Sequence, residues 1–73
     1  MSTICDFEIL AHICTLKTER DNWTKEFNIV KWNDHEPKYD IREWSPTHEY
    51  MTTGCTLSHD EMEQIFNAYS DIK

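Results

Sequence analysis

The chain has little of what breaks or loosens regular structure, with one glycine and two prolines in 73 residues. Disordered and low-complexity chains are rich in such residues and poor in aromatics. Here tryptophan, tyrosine and phenylalanine occur three times each, and 38% of the residues are hydrophobic. No apolar run approaches the ~20 residues of a membrane span, and no basic segment precedes a long apolar stretch near the N-terminus. Neither a membrane segment nor a secretory signal is therefore expected. Cysteine is scarce and odd in number (Cys5, Cys14 and Cys55), and none is paired as Cys-x-x-Cys. The four histidines, His12, His35, His48 and His59, also stand singly, so no zinc site and no cofactor is expected. Free thiols in a reducing, cytoplasmic setting are the expectation, near the nucleoid in a bacterium. The spacing alone leaves a 5–14 or 14–55 disulfide open. The chain also lacks a nucleophile motif, a Ser/His/Asp or Cys/His order and a Gly-rich phosphate loop, which argues against an enzyme.

A chain of this length is one domain, residues 1–73, with 1–6 reading as a tail. It buries only about 60–65% of its unfolded surface. Its core contributes roughly 3–5 kcal/mol, so a staple or a partner is expected.

Charge is unevenly spread. The net charge is −7, from 14 acids and 7 lysines and arginines. Six of those cations (Lys17, Arg20, Lys25, Lys31, Lys38 and Arg42) fall between residues 17 and 44, as do Trp23, Trp32 and Trp44. Cations interleaved with aromatics suit a groove for single-stranded nucleic acid, in which the cations meet phosphates and the rings meet unstacked bases. The same composition suits an ordinary sheet with aromatic cross-strand pairs and charged solvent positions. Pattern alone leaves both readings open.

Phe7–Leu16 reads as a strand with apolar residues on both faces: Phe7, Ile9, Ala11 and Ile13 on one, Leu10, Cys14 and Leu16 on the other. Residues 17–22 are polar turn chemistry. Trp23–Trp32 is a second strand, with Trp23, Lys25, Phe27, Ile29 and Lys31 on one side and Val30 and Trp32 on the other, an imperfect alternation that suggests a bulge or strong twist. The segment 33–37 is a hairpin turn. Lys38–Trp44 is the third strand, with Tyr39 and Ile41 on one face and Lys38, Asp40, Arg42 and Trp44 on the other. Cys55–Leu57 is a short fourth strand after Gly54. Ser58 and Glu61 form a capping box, and Met62, Ile65, Phe66, Tyr69 and Ile72 then make one apolar helical stripe. The fold class is α+β: a four-stranded antiparallel sheet and one C-terminal helix, which would cover one face and leave the other for a second copy. Asp60 and Glu61 fit a helix start better than an acid–base pair.

Residues 39–62, YDIREWSPTHEYMTTGCTLSHDEM, resemble the C-terminal half of the positive cofactor four family of single-stranded-DNA-binding transcriptional coactivators. The resemblance rests on Asp40 to Trp44, the proline-containing loop, and the strand-to-helix junction from Gly54 to Ser58. With Trp23, Val30-x-Trp32-Asn33-Asp34 and Glu36-Pro37-Lys38-Tyr39 it extends over roughly residues 7–70 and is nearest the family's bacterial YdbC-like branch. It implies a curved sheet, a homodimer joined through Met62, Ile65, Phe66 and Tyr69, and sequence-tolerant binding of single-stranded DNA, or RNA, in transcription, replication or repair. Carried over by position, Lys25, Lys38 and Arg42 would meet phosphates, and Trp23, Trp32, Tyr39 and Trp44 would meet bases. Trp32 and Tyr39 fit sheet packing equally well. The chain departs from the family at Thr52-Thr53-Gly54, Thr24 and Ile29, where relatives carry basic residues, so stacking is expected to carry a larger share. A rival reading is an acidic protein–protein interaction module on the same fold that engages a basic partner.

Overall fold

The computed structural model describes residues 6–73; Cys5 and most of the expected tail lie outside them. Four strands follow in chain order: β1 (Phe7–Thr18), β2 (Thr24–Trp32), β3 (Lys38–Trp44) and β4 (Cys55–Leu57). Each pairs antiparallel with the next, so the sheet order is β1-β2-β3-β4, and helix α1 (His59–Ile72) closes the chain. The expected fold class is the observed one. The turn between β1 and β2 is a single 3-10 turn, Arg20–Asn22, with Asp21 and Asn22 at positive φ (58° and 66°). Asp and Asn are the non-glycine residues that adopt that conformation most readily. Trp23 closes this turn rather than opening β2, and β1 runs on to Thr18.

The sidedness of β2 and β3 follows their sequence alternation. Glu26 pairs with Arg42, Asn28 with Asp40 and Val30 with Lys38, which places all six on one face; Phe27, Ile29, Tyr39 and Ile41 share the other. β1 behaves differently. Its register against β2 slips between Ile9 and Ala11, between His12 and Cys14, and between Thr15 and Lys17. These bulges impose a three-residue rhythm. Phe7 and Ile9 lie with Trp32 and Val30, but Ala11 and Cys14 lie opposite Ile29 and Phe27 on the other face. The expected two-residue alternation of β1 therefore fails, and the irregularity expected in β2 belongs to its partner.

Bulges bend a strand and increase its twist, and here the sheet curls on itself. Phe7 neighbours Trp32 at one end of β2, whereas Trp44 neighbours Thr24 at the other. On a flat strand those ends are roughly 26 Å apart. Yet the Phe7 ring lies 5.7 Å from Trp32 and 5.3 Å from Trp44, centroid to centroid. Curling buries the face on which Val30, Asn28, Asp40 and Trp44 all have zero exposure.

The helix does not cover the opposite face as expected. None of its residues is buried, and it touches the sheet through its first turns, where His59 stacks on Tyr39 at 6.1 Å. Its start is well made: the Glu61 amide donates to Ser58 Oγ and the Ser58 amide to Glu61 Oε1, the expected capping box. Ile65, Phe66, Tyr69 and Ile72 remain exposed, Phe66 at 64% and Ile72 at 82%.

Candidate functional site

Inside the curl, ring side chains contact one another in succession at tilted angles. His48 lies 5.5 Å from Trp44, Trp44 packs on Phe7, Phe7 on Trp32, and the Arg42 guanidinium lies 4.6 Å over the Trp32 ring. Arg42 is held there by Asp40: Nε and Nη2 donate to its two carboxylate oxygens at 2.6 and 2.7 Å, and the Thr56 hydroxyl adds a third bond at 2.9 Å. Arg42 Nη1 also reaches Met51 Sδ and the Thr52 carbonyl, each at 3.4 Å. Gly54 allows this approach, because a Cβ there would stand 2.3 Å from Arg42 Cβ and 2.4 Å from the Ile41 carbonyl oxygen.

The seven residues expected at nucleic acid are thus divided. Trp44 has zero exposure and packs against both Phe7 and His48, so it offers no open ring face. Trp32 lies between Phe7 and Arg42, and the indole nitrogens of both tryptophans are buried. Arg42, with only 12% of its side chain exposed, is committed to Asp40. Trp44 and Arg42, expected at bases and at phosphates, both lie in the interior of the curl. Tyr39 lies on the opposite face between Phe27 (5.7 Å) and His59. Lys25 shares that face, opposite Lys17 on β1 and Glu43 on β3. Lys38 is exposed at the start of β3, and Trp23 is half-exposed at the far end of β2.

The cations are not equally occupied. Lys17 pairs with Glu19 at 3.6 Å, Arg42 with Asp40, and Lys31 donates to the Asn33 carbonyl at 2.7 Å. Among the described residues Arg20, Lys25 and Lys38 form no ion pair. Lys25 faces Lys17 across one rung of the sheet, with Glu43 on its other side, and Arg20 stands in the adjoining turn. Lys17 and Arg20 are not among the seven expected residues; the sequence signal that points to them is that both flank a tight turn ending in Trp23.

A second network has no sequence signal. Glu26, 6% exposed, accepts hydrogen bonds from the Thr24 hydroxyl (2.6 Å), the Asn28 amide (3.1 Å) and His48 Nε2 (2.9 Å). His12 Nδ1 contacts Asn28 Oδ1 at 2.7 Å and lies 3.6 Å from Glu26. Two histidines that stand singly in the sequence thus meet at one carboxylate and tie β1 and the β3–β4 loop to β2. Among the described residues no group of three such side chains is arranged to hold a metal ion. Burial alone would raise the Glu26 pKa, but the bonds from Thr24, Asn28 and His48, with the charge of His48, outweigh it and hold the carboxyl below its ordinary 4.5. A depressed carboxylate stabilises the fold above its unfolded pKa, and that contribution is lost as pH falls through the folded value. Thermal melts from pH 6 to pH 3 are therefore expected to show Glu26→Gln less stable than the parent at pH 6, with the gap closing below about pH 4.5. Parallel melting curves across that range would contradict the assignment.

Cys14 and Cys55 are free and exposed, on opposite edge strands of the sheet. No described helix is long and apolar enough to cross a membrane.

Comparison with known proteins agrees with this architecture. The family described as Transcriptional Coactivator p15 (PC4) matches residues 20–68, so the chain belongs to that family. An uncharacterized protein of Treponema pallidum (strain Nichols) is 38% identical over 56 residues, covering 77% of this chain and 66% of the relative. The match thus spans just under two thirds of that relative's length. Membership supports a DNA-binding, coactivator-like role in general terms.

Proposed function

We propose that the protein is a homodimeric, sequence-tolerant single-stranded-DNA-binding protein that acts in transcription, replication or repair. The observation that carries this reading is the set of unpaired cations. In a chain with twice as many acids as lysines and arginines, Arg20, Lys25 and Lys38 nevertheless stand without carboxylate partners. Lys25 and Lys38 would take phosphates, with Lys17 and Arg20 beside Lys25. Base contact falls first to Trp23, which is half-exposed and makes no ring contact among the described residues. RNA is an equally good polyanion for these cations.

Dimerisation is supported by the helix. Its apolar stripe, Met62, Ile65, Phe66 and Tyr69, is left largely uncovered by the sheet, and Phe27, Ile29, Ile41 and Leu57 on the neighbouring sheet face are only half-buried. An apolar surface of this extent on so small a chain calls for a partner surface, and a second copy supplies a self-complementary one. The exposed Asp60, Glu61, Glu63 and Asp71 on the same helix favour, as a second reading, an acidic module that engages a basic protein.

Lys38 provides the test of the phosphate assignment. Each neutralised phosphate contributes about 0.7 to the slope of log K against log salt for single strands. Lys38→Ala is expected to lower the slope for oligo-dT by roughly that amount for each phosphate left without its cation. An unchanged slope would remove Lys38 from the interface.

A further inference from the structure

We propose that Tyr50, on the loop between β3 and β4, is a base-stacking residue that, with Trp23, forms the aromatic platform of this protein in place of Trp32 and Trp44. The inference rests on the single-strand-binding reading above. Trp32 and Trp44 pack against Phe7 inside the curl, and Tyr39 contacts Phe27 and His59. Phe66 and Tyr69 belong to the helix stripe, and Tyr69 also carries Lys73 Nζ at 5.5 Å from its ring. Among the described residues, the one large exposed aromatic outside the helix is Tyr50, at 68%.

Its placement supports the role. β2 and β3 pair Thr24 with Trp44, and Trp44 in turn bridges to Met51. Extending that register by one position sets Trp23, Ser45 and Tyr50 side by side at one end of the sheet. Two interstrand steps separate the outer pair, about 10 Å of backbone spacing. Lys25, Lys17 and Arg20 lie at the same end. An aromatic beside cations, two of them (Lys25 and Arg20) without an ion pair among the described residues, is the combination a single strand needs.

The backbone that carries Tyr50 is fixed on both sides. The Ser45 amide donates to the Tyr50 carbonyl at 2.9 Å, and the Tyr50 amide donates to Ser45 Oγ at 3.1 Å. The His48 amide donates to the Ser45 carbonyl at 2.9 Å, and the His48 ring is held by Glu26 and Trp44. His48 adopts φ 63°, the left-handed region in which His, with Asn and Asp, is among the commoner non-glycine residues. The ring of Tyr50 is therefore presented from an ordered support, which lowers the cost of binding. Residues 45–54 contain no lysine or arginine, so ring stacking is what this loop can offer a polyanion.

The experiment is titration of the full chain with oligo-dT at two salt concentrations, for the parent, Tyr50→Ala and Tyr50→Phe. Tyr50 is exposed and its loop hydrogen bonds use the backbone, so melting temperatures should agree among the three. Tyr50→Ala is expected to bind about 5- to 150-fold more weakly, the range for one lost aromatic–base stack, with an unchanged salt slope, while Tyr50→Phe binds like the parent. If the parent binds and Tyr50→Ala matches it, the platform is elsewhere and the inference fails alone. If Tyr50→Phe is as weak as Tyr50→Ala, the hydroxyl rather than the ring makes the contact, and the inference also fails. If the parent does not bind oligo-dT, the functional reading fails and this inference falls with it.

Discussion

Arg42→Ala is expected to destabilise the chain by about 3–5 kcal/mol, because it leaves a buried carboxylate without its counter-charge. Asp40 has zero exposure, and two of its three hydrogen bonds come from the Arg42 guanidinium. The guanidinium also covers one face of Trp32, so packing goes along with charge. A domain of this size has roughly 4–11 kcal/mol in total, so the loss should appear as a fall of well over 10 °C in melting temperature. Removing the orphaned charge should restore part of it: Asp40→Asn with Arg42→Ala is expected to be more stable than Arg42→Ala alone. A phosphate-binding Arg42 would behave in the opposite way. Its replacement would leave the melt within about 0.5 kcal/mol of the parent, as is usual for surface substitutions, and would lower the salt slope of binding. Calorimetry of the two variants separates the cases.

The second large effect concerns the helix. In a single chain Phe66 is 64% exposed, and replacing such a residue by aspartate would change stability by no more than about 0.5 kcal/mol. In a dimer joined through the stripe, the same change sets a carboxylate into an apolar contact on both copies. Burying an unpaired charge is costly enough to abolish association. Sedimentation equilibrium at micromolar concentration is expected to give twice 8.8 kDa for the parent. Phe66→Asp should give the single-chain mass, with a much lower melting temperature. A parent of single-chain mass would overturn the dimer. An unchanged mass for Phe66→Asp would move the interface off the stripe.

Much of the fold is legible in the sequence because it is local. The capping box at Ser58 and Glu61, the helical period after it, and the alternation of β2 and β3 each follow from residues a few positions apart. A two-residue rhythm misplaces the side chains of β1 because Leu10, Ile13 and Leu16, the residues at its register shifts, are ordinary apolar strand residues. Nothing in their chemistry marks a bulge. The curl produced by those bulges is what carries Phe7 to Trp44, and no pattern within a strand shows that the ends of the sheet meet. The same curl divides the expected site. Cations and rings at every second position of β3 look like a ligand surface if the strand is flat, and become a core if it is curled. One signal is present: Asp40 and Arg42, two residues apart on one strand, share a face and can pair. His48 and Glu26 lie 22 positions apart, joined through a loop, and their meeting has no counterpart in sequence pattern.

If a sheet end with unpaired cations and open aromatic rings receives single-stranded nucleic acid, strand and duplex must be told apart. Stacking needs free base faces, which a duplex does not present, whereas attraction to phosphate is common to both forms. The most direct measurement is intrinsic tryptophan emission during titration with oligo-dT and, separately, with a duplex of equal phosphate number, each at two salt concentrations. Oligo-dT is expected to bind more tightly and to quench the emission strongly, with Trp23 the reporter, and the preference is expected to persist at the higher salt. Equal quenching by strand and duplex, or none by either, would contradict single-strand recognition at this end of the sheet.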